Sequence, residues 1–325
     1  MGFSPSGPLK IGFQNAQPPA DGNGVFQIAD FETAQRLVFA LERNGFHALW
    51  AGDHLAFAQP ILDPLIQLAQ ISAISQTLML GTAVFLLPLR HPATVAKQVA
   101  TLDLLSSGRV VFGVGVGGEF PGEFALSGVP VEERGARLSE GIEVLRKLWR
   151  GTPVSHAGKF YAFPETHMQP APYTAGGPPI WCGGRKEAAL RRAGRMADGW
   201  LSYVVTPEQY RTALDTIARA GEAAGRDLSR FATGHLLFVR LAKDYESALR
   251  YASEKLSARY EMDFSKPAKR YCALGTAQQV AASIREFHQA GVRHVVVDMI
   301  TERTGQIEQI DHFGEEVMPL LADLT

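Results

Sequence analysis

The sequence predicts an α/β fold, a closed (β/α)8 TIM barrel that carries insertion segments. Short apolar segments alternate with longer amphipathic segments along the 325 residues, and eight of the apolar segments have the length of strands. The composition does not change between the two halves of the chain. Alternating strands and helices form parallel sheets, and eight such units in one domain indicate a barrel. A doubly wound open sheet is the alternative fold.

Proline and glycine mark the boundaries of the first four strand–helix units. Pro64 and Pro92 stand where a proline opens a helix, and Gly45 stands where a glycine ends one. Strands are predicted at Lys10–Phe13, Phe46–Ala51, Leu78–Phe85 and Arg109–Gly115, and helices at Phe31–Asn44, Asp63–Ser75, Pro92–Ser106 and Glu133–Trp149.

The second half continues the alternation after an irregular insertion at about 151–179, which is rich in proline, glycine and aromatic residues. This segment is interpreted as an excursion from the barrel, so residues 1–325 are expected to form a single domain. Strands are predicted at Ile180–Cys182, Gly199–Ser202, Phe231–Leu241 and His294–Ile300. Helices are predicted at Lys186–Met196, Pro207–Ala224, Thr276–Ala290 and Asp311–Ala322, with further helical sequence up to about Tyr260.

Composition excludes several classes of partner. The formal net charge is −1, so no overall field attracts nucleic acid or an anionic membrane. Cys182 and Cys272 are far apart and form no C-x-x-C pair, so neither a metal site nor a disulfide is expected. Neither a secretory signal nor an apolar run long enough to span a bilayer is visible. The expectation is a cytoplasmic protein.

Polar and glycine residues at the predicted strand ends are the candidates for chemistry, because a barrel places its functional residues there. His54 follows the second strand beside Asp53, and an imidazole can exchange a proton near neutral pH. The alternative is that Asp53 only caps the next turn. Gly183-Gly184-Arg185 opens a helix after the fifth strand, which suits a phosphate group, although a plain tight turn also explains it.

The fourth strand is followed by a G-x-G-x-x-G motif at Gly113, Gly115 and Gly118. A dinucleotide-binding fingerprint requires a helix that starts at the last glycine. The sequence at 119–122 is not expected to continue as a helix, and the acidic pair that follows lies at a helix start. The glycines are therefore interpreted as giving a flat ligand close access to the backbone.

Other barrel chemistries lack their signatures. No predicted strand ends in the lysine of a Schiff-base aldolase, the first strand has no H-x-H metal motif, and no G-x-S-x-G elbow is present. By elimination, the chemistry is expected to come from a cofactor.

Seven segments in order resemble the luciferase-like monooxygenase superfamily, which contains FMN-dependent monooxygenases and F420-dependent oxidoreductases. They include "GFHALWAGDH", "LGTAVFLLPLRHPATVAKQVATLD", "SSGRVVFGVGVGG" and "PPIWCGGRKEAALRRAGRMADGW". The resemblance implies a barrel with a flavin or deazaflavin at its mouth. It also implies a non-prolyl cis peptide at Ala83–Val84 that backs the ring.

The resemblance assigns further roles to individual residues. Asp53 and His54 match an Asp-His pair beside the ring, with His54 as the catalytic acid. The ring would be flanked by Gly115, Val116 and Gly117, and the phosphate held by Gly183, Gly184 and Arg185.

The chain departs from the sugar-phosphate dehydrogenases of the superfamily in two places. Gln14 and Asn15 stand where those enzymes carry a glutamate, and the loop after the fourth strand is one residue longer. Glu119 is the candidate for their catalytic glutamate, but the longer loop leaves the choice between Glu119 and Glu123 open. A sugar-phosphate substrate is therefore not expected.

The resemblance implies an F420-dependent oxidoreductase that transfers a hydride between the deazaflavin and a small, apolar carbonyl, alcohol or activated alkene. The Asp-His pair favours coenzyme F420. The alternative is an FMN-dependent two-component monooxygenase that uses reduced flavin and oxygen, and a third reading is a non-catalytic flavin-binding protein. A flavin or F420 reductase and a second copy of the chain, as a homodimer, are the expected protein partners.

Two sets of side chains are candidates for contacts with these ligands. The polyanionic tail of F420 is expected to leave the site past basic side chains. A cluster of basic side chains on a helix is also explained as a face exposed to solvent. The basic candidates are Arg185, Lys186, Arg191 and Arg192, and the aromatic candidates for the substrate pocket are Phe57, Phe120, Phe124, Phe160, Tyr161 and Trp181.

Overall fold

The computed structural model describes residues 5–15, 31–57, 61–118 and 120–325, with the backbone alone at position 303. Glu119 lies outside the described residues. The strands are β1 (Lys10–Asn15), β2 (Ala48–Ala51), β3 (Met79–Thr82), β4 (Val110–Val114), β5 (Val154–Ala157), β6 (Ala162–Thr166), β7 (Ile180–Gly183), β8 (Gly199–Tyr203), β9 (Ala232–Leu241), β10 (Cys272–Gly275) and β11 (His294–Met299).

The helices are α1 (Phe31–Arg43), α2 (Pro64–Ile74), α3 (Pro92–Leu105), α4 (Pro121–Leu126), α5 (Arg134–Leu148), α6 (Glu187–Met196), α7 (Pro207–Ala223), α8 (Tyr245–Tyr260), α9 (Ser265–Tyr271), α10 (Ala277–Gln289) and α11 (Gln306–His312). None of the helices within the described ranges is long and apolar enough to cross a membrane.

Eight parallel strands close into a barrel, which confirms the predicted fold. Their order is β1-β2-β3-β4-β7-β8-β9-β11, and β11 returns to β1. The pairing of β8 with β9 closes the ring, which excludes the open doubly wound sheet. Because all eight strands run in parallel, their carboxyl ends meet at one rim.

Two apolar layers hold the barrel together. The interior contains Trp50 and Trp181, whose ring centroids are 5.3 Å apart, together with Val111, Leu201 and Val296. The outer layer packs alternate strand residues against the surrounding helices. The interior is filled by large side chains, so the space for a ligand lies at the rim.

The segment between α5 and β7 is more regular than the sequence predicted. The strands β5 and β6 form an antiparallel hairpin there. Glu140 of α5 binds the hairpin, since its carboxylate accepts hydrogen bonds from the amides of Phe160 and Tyr161 and lies 3.3 Å from Nε2 of His156. These amide bonds lower the pKa of Glu140 although its burial opposes the shift. The hairpin thus depends on a carboxylate from outside the segment.

A second insertion lies between β9 and β11. The sequence predicted its helical part up to about Tyr260 but neither α9 nor β10. α8, α9 and β10 form it, and β10 pairs with Phe238–Leu241 of β9 beyond the residues that pair with β8. Phe238, Leu256, Phe264 and Leu274 form a small core of their own. This insertion lies against the rim of the barrel, where Tyr260 of α8 contacts Phe57 at 6.5 Å between ring centroids.

Two local predictions were wrong. The expectation of no helix after the glycine motif fails at α4, where Pro121 occupies the first turn. The predicted final helix Asp311–Ala322 is instead a succession of three helical segments. The α-helix Gln306–His312 is followed by a π-helix at Phe313–Val317 and by a 3-10 helix at Met318–Leu321.

Candidate active site

A cavity of about 380 Å³ opens at the carboxyl ends of the strands. The structure brings together at this cavity the described residues that the resemblance assigned to catalysis, to the ring and to the phosphate. They are Asp53, His54, Ala83, Val84, Gly115, Val116, Gly117, Gly183, Gly184 and Arg185.

His54 is held by a buried carboxylate from a distant part of the chain. Its Nδ1 lies 3.2 Å from both carboxylate oxygens of Glu123, which is 69 positions away and 1% exposed. The same carboxylate accepts hydrogen bonds from the amides of Leu55 and Ala56. Because a carboxylate only accepts, Nδ1 carries the hydrogen, and Nε2 at the opposite edge of the ring can exchange a proton with a ligand.

Asp53 has a different partner from the one its place beside His54 suggests. Its carboxylate forms a two-point ion pair with Arg90, at 2.5 and 2.8 Å, and accepts a hydrogen bond from the amide of Leu86 at 2.8 Å. Burial raises the pKa of Asp53, while Arg90 and the Leu86 amide oppose that shift. Asp53 therefore fastens the loop after β3 to the end of β2.

The loop after β3 forms a bulge that contains a cis peptide bond between Ala83 and Val84, as the resemblance implied. The amide of Phe85 donates to the carbonyl of Gly113, and the amide of Gly115 donates to the carbonyl of Phe85. The bulge thereby lies directly against the end of β4.

This bulge is the reason for two of the glycines in the G-x-G-x-x-G motif. A Cβ at Gly113 would lie 1.9 Å from the carbonyl oxygen of Thr82, and one at Gly115 would lie 2.4 Å from Cγ2 of Val84. Gly113 and Gly115 thus admit the chain's own backbone and the side chain of Val84. Because Gly115 and Val84 both line the cavity, close access of a flat ligand to the backbone there stays a prediction.

The Gly183-Gly184-Arg185 segment joins β7 to α6. Gly184 has a left-handed φ of +108°, and its carbonyl accepts a hydrogen bond from Nε1 of Trp200 at 2.7 Å. α6 begins at Glu187 without a side-chain cap. Amides at a helix start, close to a lysine and an arginine, are suited to bind an anion.

The basic candidates divide into two groups. Arg185 and Lys186 line the cavity, and Arg134 at the start of α5 joins them there. Arg191 pairs with Glu187 on an exposed face, and Arg192 packs on α5 through the carbonyl of Gly135.

The aromatic candidates also divide. Phe57 lines the cavity and stacks on His54 at 4.4 Å, and Phe120 contacts His54 edge-on at 5.4 Å. The other four are structural: Trp181 fills the barrel, Phe124 is buried beside Leu86, and Phe160 and Tyr161 belong to the hairpin region.

A buried ion pair at the cavity was not predicted from the sequence. Arg259 of α8 donates from Nη1 to Oδ2 of Asp298 at 2.8 Å, and both residues line the cavity. Burial raises the pKa of Asp298, and Arg259 opposes that shift. The position of Asp298 at the end of β11 was a signal for it, because polar residues at barrel strand ends face the site.

The fold and the cavity define a (β/α)8 barrel with a cavity at the carboxyl ends of its strands, where barrel enzymes have their active sites. A model of the family described as luciferase-like monooxygenase matches residues 10–294, and the chain belongs to this family.

The proteins that are similar to the chain in sequence include F420-dependent and flavin-dependent enzymes. An F420-dependent glucose-6-phosphate dehydrogenase of Nakamurella multipartita is 28% identical, with 98% of each chain covered. The oxygenase component of a flavin-dependent trigonelline monooxygenase of Acinetobacter baylyi is 34% identical over 44% of this chain and 40% of its own. An uncharacterized protein of Mycobacterium tuberculosis is 38% identical over 52% of this chain, and the match spans 57% of that protein.

Solved structures show the same fold at low identity. An F420-dependent secondary alcohol dehydrogenase superimposes with a TM-score of 0.83 at 19% identity, covering 97% of this chain and 99% of its own. The monooxygenase RslO1 of Streptomyces bottropensis gives 0.82 at 24% identity, covering 96% and 99%.

Proposed function

We propose that the protein is an F420-dependent oxidoreductase that transfers a hydride between the deazaflavin and a carbonyl, alcohol or activated alkene of a small organic substrate. The observation that carries this proposal is His54, which lines the cavity beside the Ala83–Val84 bulge and is fixed by the buried Glu123. Coenzyme F420, when bound, supplies or takes up the hydride.

Reduction of a carbonyl also needs a proton, and oxidation of an alcohol needs a base. The Nδ1 hydrogen bond to Glu123 sets the orientation of the ring and leaves Nε2 for this proton. Phe57 stacks on the imidazole and Phe120 packs against it edge-on, so both rings help to hold its orientation. His54 is therefore the proposed catalytic acid or base, and Glu123 its positioning residue.

The cavity has the features that a flat ring with an anionic tail requires. Val84 and Val116 offer an apolar surface, and Arg134, Arg185 and Lys186 lie together at the cavity. Within the described ranges, none of these three cations is paired with a carboxylate. FMN ends in one phosphate, whereas the F420 tail is polyanionic, so three cations favour F420. The full-length match to an F420-dependent relative supports the same choice.

Binding measurements test the cofactor. We expect titration with oxidised F420, followed by its fluorescence, to show saturable binding, and Arg134→Gln to weaken it about tenfold, the size of one charge-assisted contact. Arg191→Gln, which removes a cation paired with Glu187, is the matched control and should change the Kd less than twofold. Tight binding of FMN without binding of F420 would contradict the proposal and favour the FMN-dependent monooxygenase.

We also propose that two copies of the chain associate. The resemblance to the superfamily supports this, and Ile66 of α2 and Leu105 of α3, which are 74% and 61% exposed on neighbouring helices, are candidates for the contact surface. Light scattering on the purified protein should give twice the mass of the 35.3 kDa chain.

A reductase that returns the cofactor to its reactive state is the other proposed partner.

A further inference from the structure

Two hydrogen-bond acceptors lie side by side in the wall of the cavity. β1 and β11 are parallel neighbours whose register pairs Phe13 with Val297, so the next residues, Gln14 and Asp298, are level with each other. Neighbouring strands are about 5 Å apart. Both side chains line the cavity, and each residue is only 5% exposed.

Gln14 lacks a hydrogen-bond partner for its amide oxygen. Oε1 is enclosed and accepts no hydrogen bond from the described part of the chain. Nε2 lies on the side of β2, since a Cβ at Gly52 would be 3.1 Å from it. A buried acceptor without a donor costs about 1–3 kcal/mol, so a ligand that brings a donor to this wall binds more tightly.

Asp298 supplies a second acceptor. Its Oδ2 is occupied by Arg259, which fixes the carboxylate, and no donor within the described ranges of the chain is hydrogen-bonded to Oδ1. Because Arg259 balances the charge of Asp298 and Gln14 is neutral, a cationic ligand gains little at this wall. A neutral donor such as a hydroxyl group, which gives its one hydrogen to one of these acceptors, fits this wall better.

The two acceptors line the same cavity as His54, the proposed site of proton transfer. β1 is also the parallel neighbour of β2, and His54 follows β2 by three residues. We propose that Gln14, with Asp298 beside it, forms a subsite that accepts the hydrogen bond of a hydroxyl group next to the reacting carbon. The substrate would then be a hydroxyketone or the corresponding vicinal diol. This inference rests on the proposed function for the identity of the reacting carbon.

Equilibrium binding tests the subsite without turnover. The probes are trans-1,2-cyclohexanediol and cyclohexanol, measured by saturation-transfer NMR on the whole protein. We expect the diol to bind about tenfold more tightly, which corresponds to about 1.4 kcal/mol. Equal affinities for the two probes, or no binding of either, would overturn the subsite.

Substitutions of Gln14 test whether this residue causes the preference for the diol over cyclohexanol. Gln14→Met keeps the shape of the side chain and should reduce the preference for the diol to less than twofold, whereas Gln14→Glu keeps an acceptor and should retain it. Gln67→Met, at a buried position in α2 away from the cavity, is the matched control and should behave as the parent protein. A diol preference that survives in Gln14→Met would contradict the assignment. Thermal unfolding of each variant shows whether it folds.

A kinetic comparison separates this inference from the proposed function. Reduction of 2-hydroxycyclohexanone and of cyclohexanone with reduced F420 should show about a tenfold lower KM for the hydroxyketone. Turnover of both ketones at equal KM would refute the subsite and leave the proposed function standing. A diol preference in binding without turnover of either ketone would leave the subsite standing and refute hydride transfer to ketones.

Discussion

At the scale of single residues, the pair of neighbours Asp53 and His54 serves two purposes. His54 faces the cavity and is oriented by Glu123, while Asp53 is turned into the protein and bound by Arg90. The two side chains are adjacent in sequence but belong to different hydrogen-bond networks. Their contributions can therefore be separated by substitution.

Replacement of His54 by alanine should lower kcat by about 10²- to 10⁴-fold, the usual contribution of a positioned acid or base. The Kd for the cofactor should change less than threefold, because the anion-binding residues and the bulge are untouched. Steady-state kinetics and fluorescence titration measure the two quantities. A large loss of cofactor affinity with unchanged kcat would reassign His54 to cofactor binding.

Replacement of Asp53 by asparagine should lower the free energy of unfolding by about 3–5 kcal/mol, because Arg90 loses the partner of a buried ion pair. Urea denaturation measures this effect. Asp63→Asn is the matched control, since Asp63 is 3.8 Å from Arg90, its side chain is 41% exposed, and asparagine also caps a helix. If Asp53 acted on the substrate, its variant would lose turnover and keep its stability.

At the scale of elements, the ends of β3 and β4 form one unit. The bulge after β3 occupies the space that side chains at positions 113 and 115 would fill. The same contact places Val84 at the cavity. The contact between the bulge and the end of β4 thus explains two glycines of the motif and the position of Val84 at the cavity.

Replacement of Gly113 by alanine should destabilise the fold by about 3 kcal/mol or more, because the new methyl group would meet the backbone carbonyl of Thr82 at 1.9 Å. Gly122→Ala is the control, since a Cβ there meets nothing within 4 Å and the residue lies in α4. That variant should remain within about 1 kcal/mol of the parent protein. Denaturant midpoints compare the two, and equal midpoints would show that the bulge can move away.

At the scale of the whole molecule, the buried His235 and the partly buried His294 couple stability to pH. Burial lowers the pKa of His235, which stacks on Phe287, to about 3, and burial with Lys10 and His47 nearby lowers that of His294 to about 4. Both side chains are therefore neutral in the folded protein at pH 5, whereas an unfolded histidine is protonated below about pH 6.5.

The free energy of unfolding should therefore fall as the pH drops below about 6.5, with about 2 kcal/mol lost per buried histidine by pH 5. In His235→Phe the decline between pH 7 and pH 5 should be smaller by that amount. His312→Gln, at an exposed position, should show the same decline as the parent protein. Urea unfolding at a series of pH values gives the comparison, and an unchanged decline in His235→Phe would exclude His235 as a source.

Much of the fold could be predicted because its signals are local. The alternation of strands and helices, with proline and glycine at their ends, is sufficient to predict a sheet of eight parallel strands. The hairpin at Val154–Thr166 and the strand β10 could not be predicted in this way. Glu140 binds the first from α5, and the second pairs with the part of β9 that extends past β8. In both cases the partner is distant in sequence.

The barrel, and a common rim for His54, Val84, Gly115 and Gly184, follow from the amino-acid sequence, because parallel strands end at the same side of a barrel. Which groups meet at that rim became apparent only from the folded chain. Glu123 rather than Asp53 orients His54, and the side chain of Val84 fills the space that a side chain at Gly115 would need. Such contacts depend on the direction in which each side chain leaves its loop, and that direction is set by packing between segments far apart in the chain.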